Sequence, residues 1–456
     1  MSGSARGFPK VAIVISNLFH ARSALETPLI LALQDSFEVV VFCTKEVFES
    51  YKGILSQQEY RFFQIDERAE ILSNRIMNAG AFRFQGRSKS FRYRVTRRIR
   101  ESSRVSKKRV SIISLEKLSQ VMIWLKLFID GWILYQIYLI PKYRKTLDFN
   151  SNFLRLFQEV NPAAAIIWSQ SMEPSSSSAV RFSRELRIPS ILIADNWDNL
   201  FSKTVLVEKP DFIGCFGMQG VEFGSKLHGI PTKNIIPLGS ARFEIYRGQE
   251  KVFRNRDTVL FAGSSMLAED ERVLRVLLKV KERLEKSEGN GTSLIWKYRP
   301  HPFPQQSRTN LAGILEEFKD LQVESMEEMN GSARSWPKLV DSLAELAGTR
   351  IAVCMPTSYL LEVRINAVQV IVPVFEDNLE ITSCKTLLSN LEHLNGLSEL
   401  AGVDIASSEG EIESRLIEGI RNPDFPPPDQ SLDWFVQWSG DGFTENLRGA
   451  IQKVIR

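Results

Sequence analysis

Cysteine and histidine are both scarce, four of each in 456 residues. Cys43, Cys215, Cys354 and Cys384 stand far apart without C-x-x-C spacing, each on or near an apolar or helical segment. That excludes a disulfide framework and points to buried free thiols in a reducing compartment. No His, Cys and Asp cluster has metal-ligand spacing, so the chemistry expected is metal-independent, without a cofactor. Internal repeats and low-complexity tracts are absent, and the opening MSGSARGFPK has neither a leucine-rich region nor a cleavage pattern, which makes the cytoplasm the expected compartment. The loop after the first strand lacks G-x-G-x-x-G, which counts against a dinucleotide-binding dehydrogenase.

A long hydrophobic run free of charge is also missing. The stretch 121–140, VMIWLKLFIDGWILYQIYLI, has the ~20 residues needed to cross a bilayer. Lys126 and Asp130 sit in its interior, each costing about 2.5 to 3.5 kcal/mol at a bilayer centre, so a transmembrane span is rejected. Two readings remain, a buried helical hairpin or an aromatic segment lying at a membrane interface. Net charge is only +4, but positions 83–109 hold twelve basic residues against one acid, Glu101. A basic run beside Trp124, Trp132, Tyr135 and Tyr138 suits an anionic lipid surface better than nucleic acid.

The chain is longer than the ~250 to 300 residues at which one core stops growing, so at least two domains are expected. Apolar β-type runs alternate with helical patterns, the mark of an α/β chain with parallel sheets. Seven strands are expected before residue 245, at 11–16, 39–44, 61–65, 163–169, 190–195, 212–217 and 234–240. Five more follow at 258–265, 293–300, 321–324, 350–356 and 369–375. The polar segment 246–257 reads as a linker and NPDFPPPDQ, 422–430, as a break before a last helix. The expected domains are 1–245 with an insertion at about 75–150, 258–430, and a helix at 431–456. Two Rossmann-like domains with a final helix after a break resemble the GT-B glycosyltransferase architecture, which implies domains facing each other and a last helix that returns to the first.

Strand ends carry the candidate chemistry, because ligands of open α/β sheets collect beyond the carboxyl ends of the strands. In WKYRPHP, Arg299 ends a strand and two prolines hold His301 extended, where an imidazole beside a cation can donate to phosphate. In CMPTSYLLEV, Thr357 or Ser358 can cap a helix whose first turn faces an anion, and Glu362 lies one turn on, within reach of a ribose hydroxyl. FAGSS puts Gly263, Ser264 and Ser265 where backbone can approach phosphate. In the first half, His20 lies in the loop after the first strand, where many inverting GT-B enzymes carry a catalytic histidine, a resemblance that implies a further candidate base or an acceptor contact, and Glu173 in WSQSMEP is a candidate acceptor ligand. In IADNWDNLFSK, Asp195 and Asp198 compete for the role of catalytic base, with Asn199 and Lys203 as acceptor ligands; alternation in extended chain puts Asp195 on the other face, capping or orienting the loop.

RPHP together with PTSYLLE resembles the pattern shared by bacterial CDP-glycerol:polyglycerophosphate glycerophosphotransferases and polysialyltransferases. The resemblance implies that His301, Thr357 and Ser358 hold the donor phosphates. WDNLFSK is similar to the W-H-G-T-x-x-K pattern of the glycerophosphotransferases, with Asp198 in place of the histidine and Lys203 retained, which implies Asp198 as the base. PLGSARFEIY looks like a G-x-P-R-x-D junction, with Ala241 and Glu244 as departures. The implied enzyme is a transferase of surface-polysaccharide, capsule or cell-envelope synthesis. It takes a nucleotide-sugar or CDP-polyol donor and a polysaccharide or lipid-linked acceptor, peripheral on the inner face of the plasma membrane. A nucleotide-sugar epimerase of the same fold and a non-catalytic assembly component are the alternatives.

Overall fold

The computed structural model describes residues 7–65, 67–107, 113–150, 152–169, 173–248, 256–263, 270–288, 294–301, 308–324, 328–329, 333–334, 338–374 and 383–456. The chain divides into two compact units. Unit 1 is Met1–Glu244 with Leu391–His393 and Trp434–Arg456; unit 2 is Ile245–Asn390 with Leu394–Asp433.

Unit 1 is built on β1 (Lys10–Ile15), β2 (Glu38–Cys43), β3 (Glu59–Phe62), β4 (Ala164–Ser169), β5 (Ser190–Ala194), β6 (Phe212–Cys215) and β7 (Ile235–Pro237). They form one parallel sheet in the order β3-β2-β1-β4-β5-β6-β7. Helices cover both faces, so the central strands are apolar throughout rather than alternating with polar residues. Val11, Ile13 and Ile15 enter one core, Ala12 and Val14 the other. The helix Phe443–Ile455 adds Phe443, Leu447, Ala450 and Ile451 to the first of these cores. Its N-terminus is closed by Glu244, whose Oε1 accepts from the Phe443 N–H at 2.7 Å.

Unit 2 carries β8 (Thr258–Ala262), β9 (Ile295–Arg299), β10 (Leu321–Val323), the two-residue pair β11 (Glu328–Met329) and β12 (Ala333–Arg334), β13 (Thr349–Cys354), β14 (Gln369–Pro373) and β15 (Val403–Ala406). Its parallel sheet runs β10-β9-β8-β13-β14-β15. In both sheets the first strand lies inside and the order reverses beside it, at β1/β4 and at β8/β13, the switch points where such sheets bind ligands. All twelve expected strands are present, with ends that differ by up to three residues. The sequence reading missed β15, four residues with only the two end ones buried, and the two-residue strands β11 and β12. Arg256, expected in the linker, is buried in unit 2, where it donates to the Asn366 carbonyl at 2.9 Å and stacks on Phe425.

The insertion is larger than a hairpin. Helices Glu67–Phe84 and Lys89–Lys107 are followed by one long helix, Ile113–Phe128 continuing through a π-helical stretch, Ile129–Leu139, into Ile140–Asn150. Apart from Asp130, its buried residues recur every four positions, at Leu127, Gly131, Tyr135, Leu139, Tyr143 and Leu147. An α-helix of 3.6 residues per turn would rotate such a row away from its partner, and the wider π winding keeps it against Glu67–Phe84. The two helices touch at Gly131, where a Cβ would meet the Ala79 carbonyl oxygen at 2.9 Å. There Asp130, buried, accepts from Arg75 Nε and Nη2 at 2.8 and 2.5 Å.

Candidate active site

At the unit 1 switch point, the chain leaves β1 at Ser16 and turns into the helix Leu18–Leu25. Asn17 caps that helix by accepting from the His20 N–H at 3.0 Å. The cap fixes the register, so His20 and Ser23, three residues apart, share one helix face. His20 Nδ1 lies 3.0 Å from Ser16 Oγ, and Nε2 lies 3.7 Å from Glu173 Oε1 beyond β4. Ser23 Oγ donates to Asp195 Oδ2 at 2.9 Å beyond β5. Ser169, the last residue of β4, ties the ends together: its hydroxyl donates to Glu173 Oε2 at 2.7 Å, and its carbonyl accepts from the Asp195 N–H at 2.9 Å and from Asn199 Nδ2 at 3.1 Å.

Burial sets the protonation states. His20 is fully buried and its pKa is pushed down to about 3, so the ring is neutral at pH 7. Burial pushes Asp195 up to about 7, against the pull of the Arg242 guanidinium and the Ser23 hydroxyl, with Glu173 adding to the rise. Arg22 and Arg242 are both buried and both act electrostatically on Asp195. Arg242 is stacked over Phe19 with its guanidinium carbon 5.1 Å from the ring centre. Sequence reasoning missed Ser23, Arg22 and Arg242. Arg242 stands in the junction SARFE, which was the one available signal.

The second aspartate faces elsewhere. Asn196 turns the chain by accepting from the Trp197 N–H at 3.0 Å, and the π-helical turn Asn199–Lys203 follows. Asp195, expected on the opposite face as a loop cap, therefore sits in the His20 cluster, while Asp198 pairs with Lys203 at 2.8 Å. Burial would raise Asp198, but the Lys203 ammonium and His393 hold it below the usual carboxylate range. Trp197 is a core residue. Its Nε1 donates to Gln219 at 3.1 Å and its ring meets His393 edge-on at 5.0 Å. Asn199 is buried with its amide spent on Ser169, and half-exposed Lys203 is the expected acceptor ligand that remains at the surface. Arg94 of the basic run does not join an outward patch: it is half-buried, donates to the Ser202 carbonyl and acts electrostatically on Asp198. Beside Ser16 opens a cleft of ≈ 590 Å³ lined in part by Lys45, Phe62, Ile65 and Arg155.

In unit 2 the ends of β8, β9 and β13 meet. The Gly263 N–H donates to the Arg299 carbonyl at 3.0 Å, and the Met355 N–H to the Ala262 carbonyl at 3.1 Å. Glycine is needed at 263 because a Cβ would lie 2.3 Å from Asp270 Oδ2. Ser264 and Ser265 lie outside the described residues. Thr357 stands at the N-cap of the helix Ser358–Ile365 in an extended conformation, and its side chain makes no capping hydrogen bond. The first turn of that helix, with Thr357 and Ser358 half-buried, presents backbone N–H groups at the switch point. His301 is half-buried two residues beyond β9. Arg299, expected beside phosphate, is instead held by Glu345 at 2.5 Å, Glu324 at 3.3 Å and the face of Tyr359 at 4.2 Å. Glu362 is buried and accepts from the Tyr246 hydroxyl at 2.9 Å, a protein contact where a ribose was expected.

No protein-family model and no curated protein matches this chain. Solved structures do. A putative UDP-N-acetylglucosamine 2-epimerase from Listeria monocytogenes is 12% identical with a TM-score of 0.54, covering 98% of this chain and 96% of its own. A second UDP-N-acetylglucosamine 2-epimerase gives 11% and 0.53, over 98% and 95%. The UDP-GlcNAc 2-epimerase from Methanocaldococcus jannaschii gives 9% and 0.52, over 97% and 99%. The chain has the GT-B fold. Identities this low carry the fold alone, and the chemistry has to come from the side chains at the two switch points.

Proposed function

We propose that this GT-B chain is a transferase that moves a sugar, or a polyol phosphate, from a nucleotide-activated donor to a hydroxyl of a surface-polysaccharide or lipid-linked acceptor. The observation that supports it is the buried acid–base cluster at the unit 1 switch point: Asp195 raised to about 7 next to Glu173 and a neutral His20. A carboxylate that titrates near the operating pH is the best placed to accept a proton in a transition state. In this reading Glu173, whose side chain is 19% exposed, orients the acceptor hydroxyl. Asp195 takes its proton as the acceptor oxygen bonds to the anomeric carbon of the sugar, or to the phosphorus of the polyol phosphate, and that atom's bond to the leaving nucleotide phosphate breaks. The cleft beside Ser16 is where the acceptor enters.

The leaving nucleotide gains negative charge, and the helix beginning at Ser358 answers it with unpaired N–H groups, the Thr357 and Ser358 hydroxyls and His301. Glu362, held by Tyr246, orders that helix. No metal or cofactor is required in this scheme. Asp198, ion-paired and held below the usual carboxylate range, is a poor base and serves to order its loop.

The test is calorimetry with CMP, CDP, UDP and GDP, followed by transfer assays with the donor that binds. Binding that survives Asp195→Asn while transfer is lost supports the reading; unchanged transfer overturns it. Three of the structures of like fold are UDP-GlcNAc 2-epimerases, which makes isomerisation the second reading. Incubation with UDP-GlcNAc and no acceptor separates the two: sugar inverted at C2 favours the epimerase and sinks the transferase.

A further inference from the structure

The long helix of the insertion is two-faced. Opposite its buried row, and offset from it by two residues, runs a second row with the same spacing of four: Leu125, Ile129, Ile133 and Ile137. Ile133 is 51% exposed and Ile137 is 74% exposed. Of nineteen large hydrophobic side chains exposed among the described residues, nine fall within positions 118–138. A soluble surface carries such residues singly, and a contiguous apolar strip of this length marks an interaction site.

Charge identifies what covers it. The exposed charged side chains along Lys117–Leu147 are Lys117, Lys126, Lys142 and Lys145, and the only acid in that span, Asp130, is buried against Arg75. Arg92, Arg98 and Arg100 on the preceding helix are exposed as well. Apolar side chains rimmed by lysines match a bilayer whose headgroups are anionic; a second copy of the strip would bring like charges together. Lys126 lies next to the strip, and its long stem lets the ammonium reach headgroups while its methylenes stay with the lipid tails.

Lys117–Leu147 is long and apolar enough to cross a membrane by length and composition. The buried row argues otherwise. Leu127, Tyr135, Leu139, Tyr143 and Leu147 belong to the core of unit 1, so crossing would strip that core open.

We propose that this helix lies in the plane of an anionic membrane, with the row from Leu125 to Ile137 among the acyl chains and the lysines at the headgroups. The inference stands whether or not the chain transfers a sugar.

The experiment is flotation of the full-length chain with vesicles of equal parts phosphatidylcholine and phosphatidylglycerol, and with phosphatidylcholine alone. The wild type should float with the anionic vesicles, less so in high salt. Ile133→Glu combined with Ile137→Glu, at two exposed positions, should lower binding about tenfold or more. Its melting temperature and nucleotide affinity should be those of the wild type. Equal flotation by that variant overturns the proposal. So does a wild-type dimer that the variant makes monomeric while neither binds vesicles, which would mean that a second copy covers the strip. Resistance to alkaline carbonate extraction would mean that the helix spans the bilayer, and overturns in-plane docking.

Discussion

The Ser23 hydroxyl donates to Asp195 Oδ2 at 2.9 Å, joining residues 172 positions apart, one within the helix Leu18–Leu25 and the other just beyond β5. That bond, with Ser169 binding the Asp195 backbone, holds the carboxylate in the acid–base cluster. Asp195→Asn is therefore expected to lower turnover by about 10²- to 10⁴-fold with donor affinity unchanged, and Asp198→Asn to leave turnover within a few fold. Steady-state kinetics and calorimetry on the two purified variants check it; the reverse pattern returns the role to Asp198.

If Asp195 is the base, turnover should rise with pH and level off above about 7, where the carboxylate is ionised. Ser23→Ala removes a hydrogen bond that favours the ionised form, so the rise should move to higher pH. A pH–rate profile of wild type and variant reads this directly, and an unmoved midpoint removes Ser23 from the argument.

His20, His228 and His393 are buried and depressed, to about 3, about 4 and about 4. Each takes up a proton on unfolding near its ordinary value of about 6.5, while the folded state resists it. The stability they lend is full above about 6.5 and is lost as pH falls toward about 4. Urea midpoints should fall across that window, and His228→Gln should shallow the slope. His228 Nε2 contacts the Leu200 carbonyl at 2.8 Å, a bond that a glutamine amide can also make.

Arg75 covers the buried Asp130. Arg75→Ala should destabilise by about 1 to 3 kcal/mol, discounted because the arginine is itself partly exposed. Replacing both, Arg75→Met with Asp130→Leu, should recover most of the loss, because a pair of apolar side chains leaves no stranded charge. Chemical denaturation of the single and double variants is the measurement.

Glu244 closes the last helix through the Phe443 N–H. Glu244→Ala should cost about 1 kcal/mol, the usual value of a lost N-terminal cap, and Glu244→Gln should cost less, since an amide oxygen still accepts. A thermal midpoint that falls equally for both would point to charge rather than hydrogen bonding.

The sheets were legible because buried parallel strands are continuous apolar runs, as in VAIVIS or RIAVC, and β15 escaped because VDIA is short and interrupted by an aspartate. The choice between Asp195 and Asp198 was not legible. Alternation assumes an extended chain, and the chain turns at Asn196 one residue after the strand. Arg94 and Arg299 misled for a different reason: one was counted in a basic run and the other expected beside phosphate, and only the fold reveals the Ser202 carbonyl and the Glu345 carboxylate that hold them. Roles for His301, Thr357 and Ser358 rest on strand ends that the structure does gather, with Ser264 and Ser265 outside the described residues.

Neither unit is continuous in sequence. Unit 1 opens the chain, yet it includes Leu391–His393, where Glu392 accepts from the Ser88 hydroxyl and the Ser90 N–H at the start of the basic helix. It also includes the helix that ends at Ile455. During synthesis the first unit therefore stays unfinished until the helix Phe443–Ile455 has left the ribosome. A nascent chain stalled after Glu244 would expose the surface that Phe443, Leu447 and Ile451 cover. Coexpressing the two halves split at residue 245 should thus rescue solubility that the first half alone lacks.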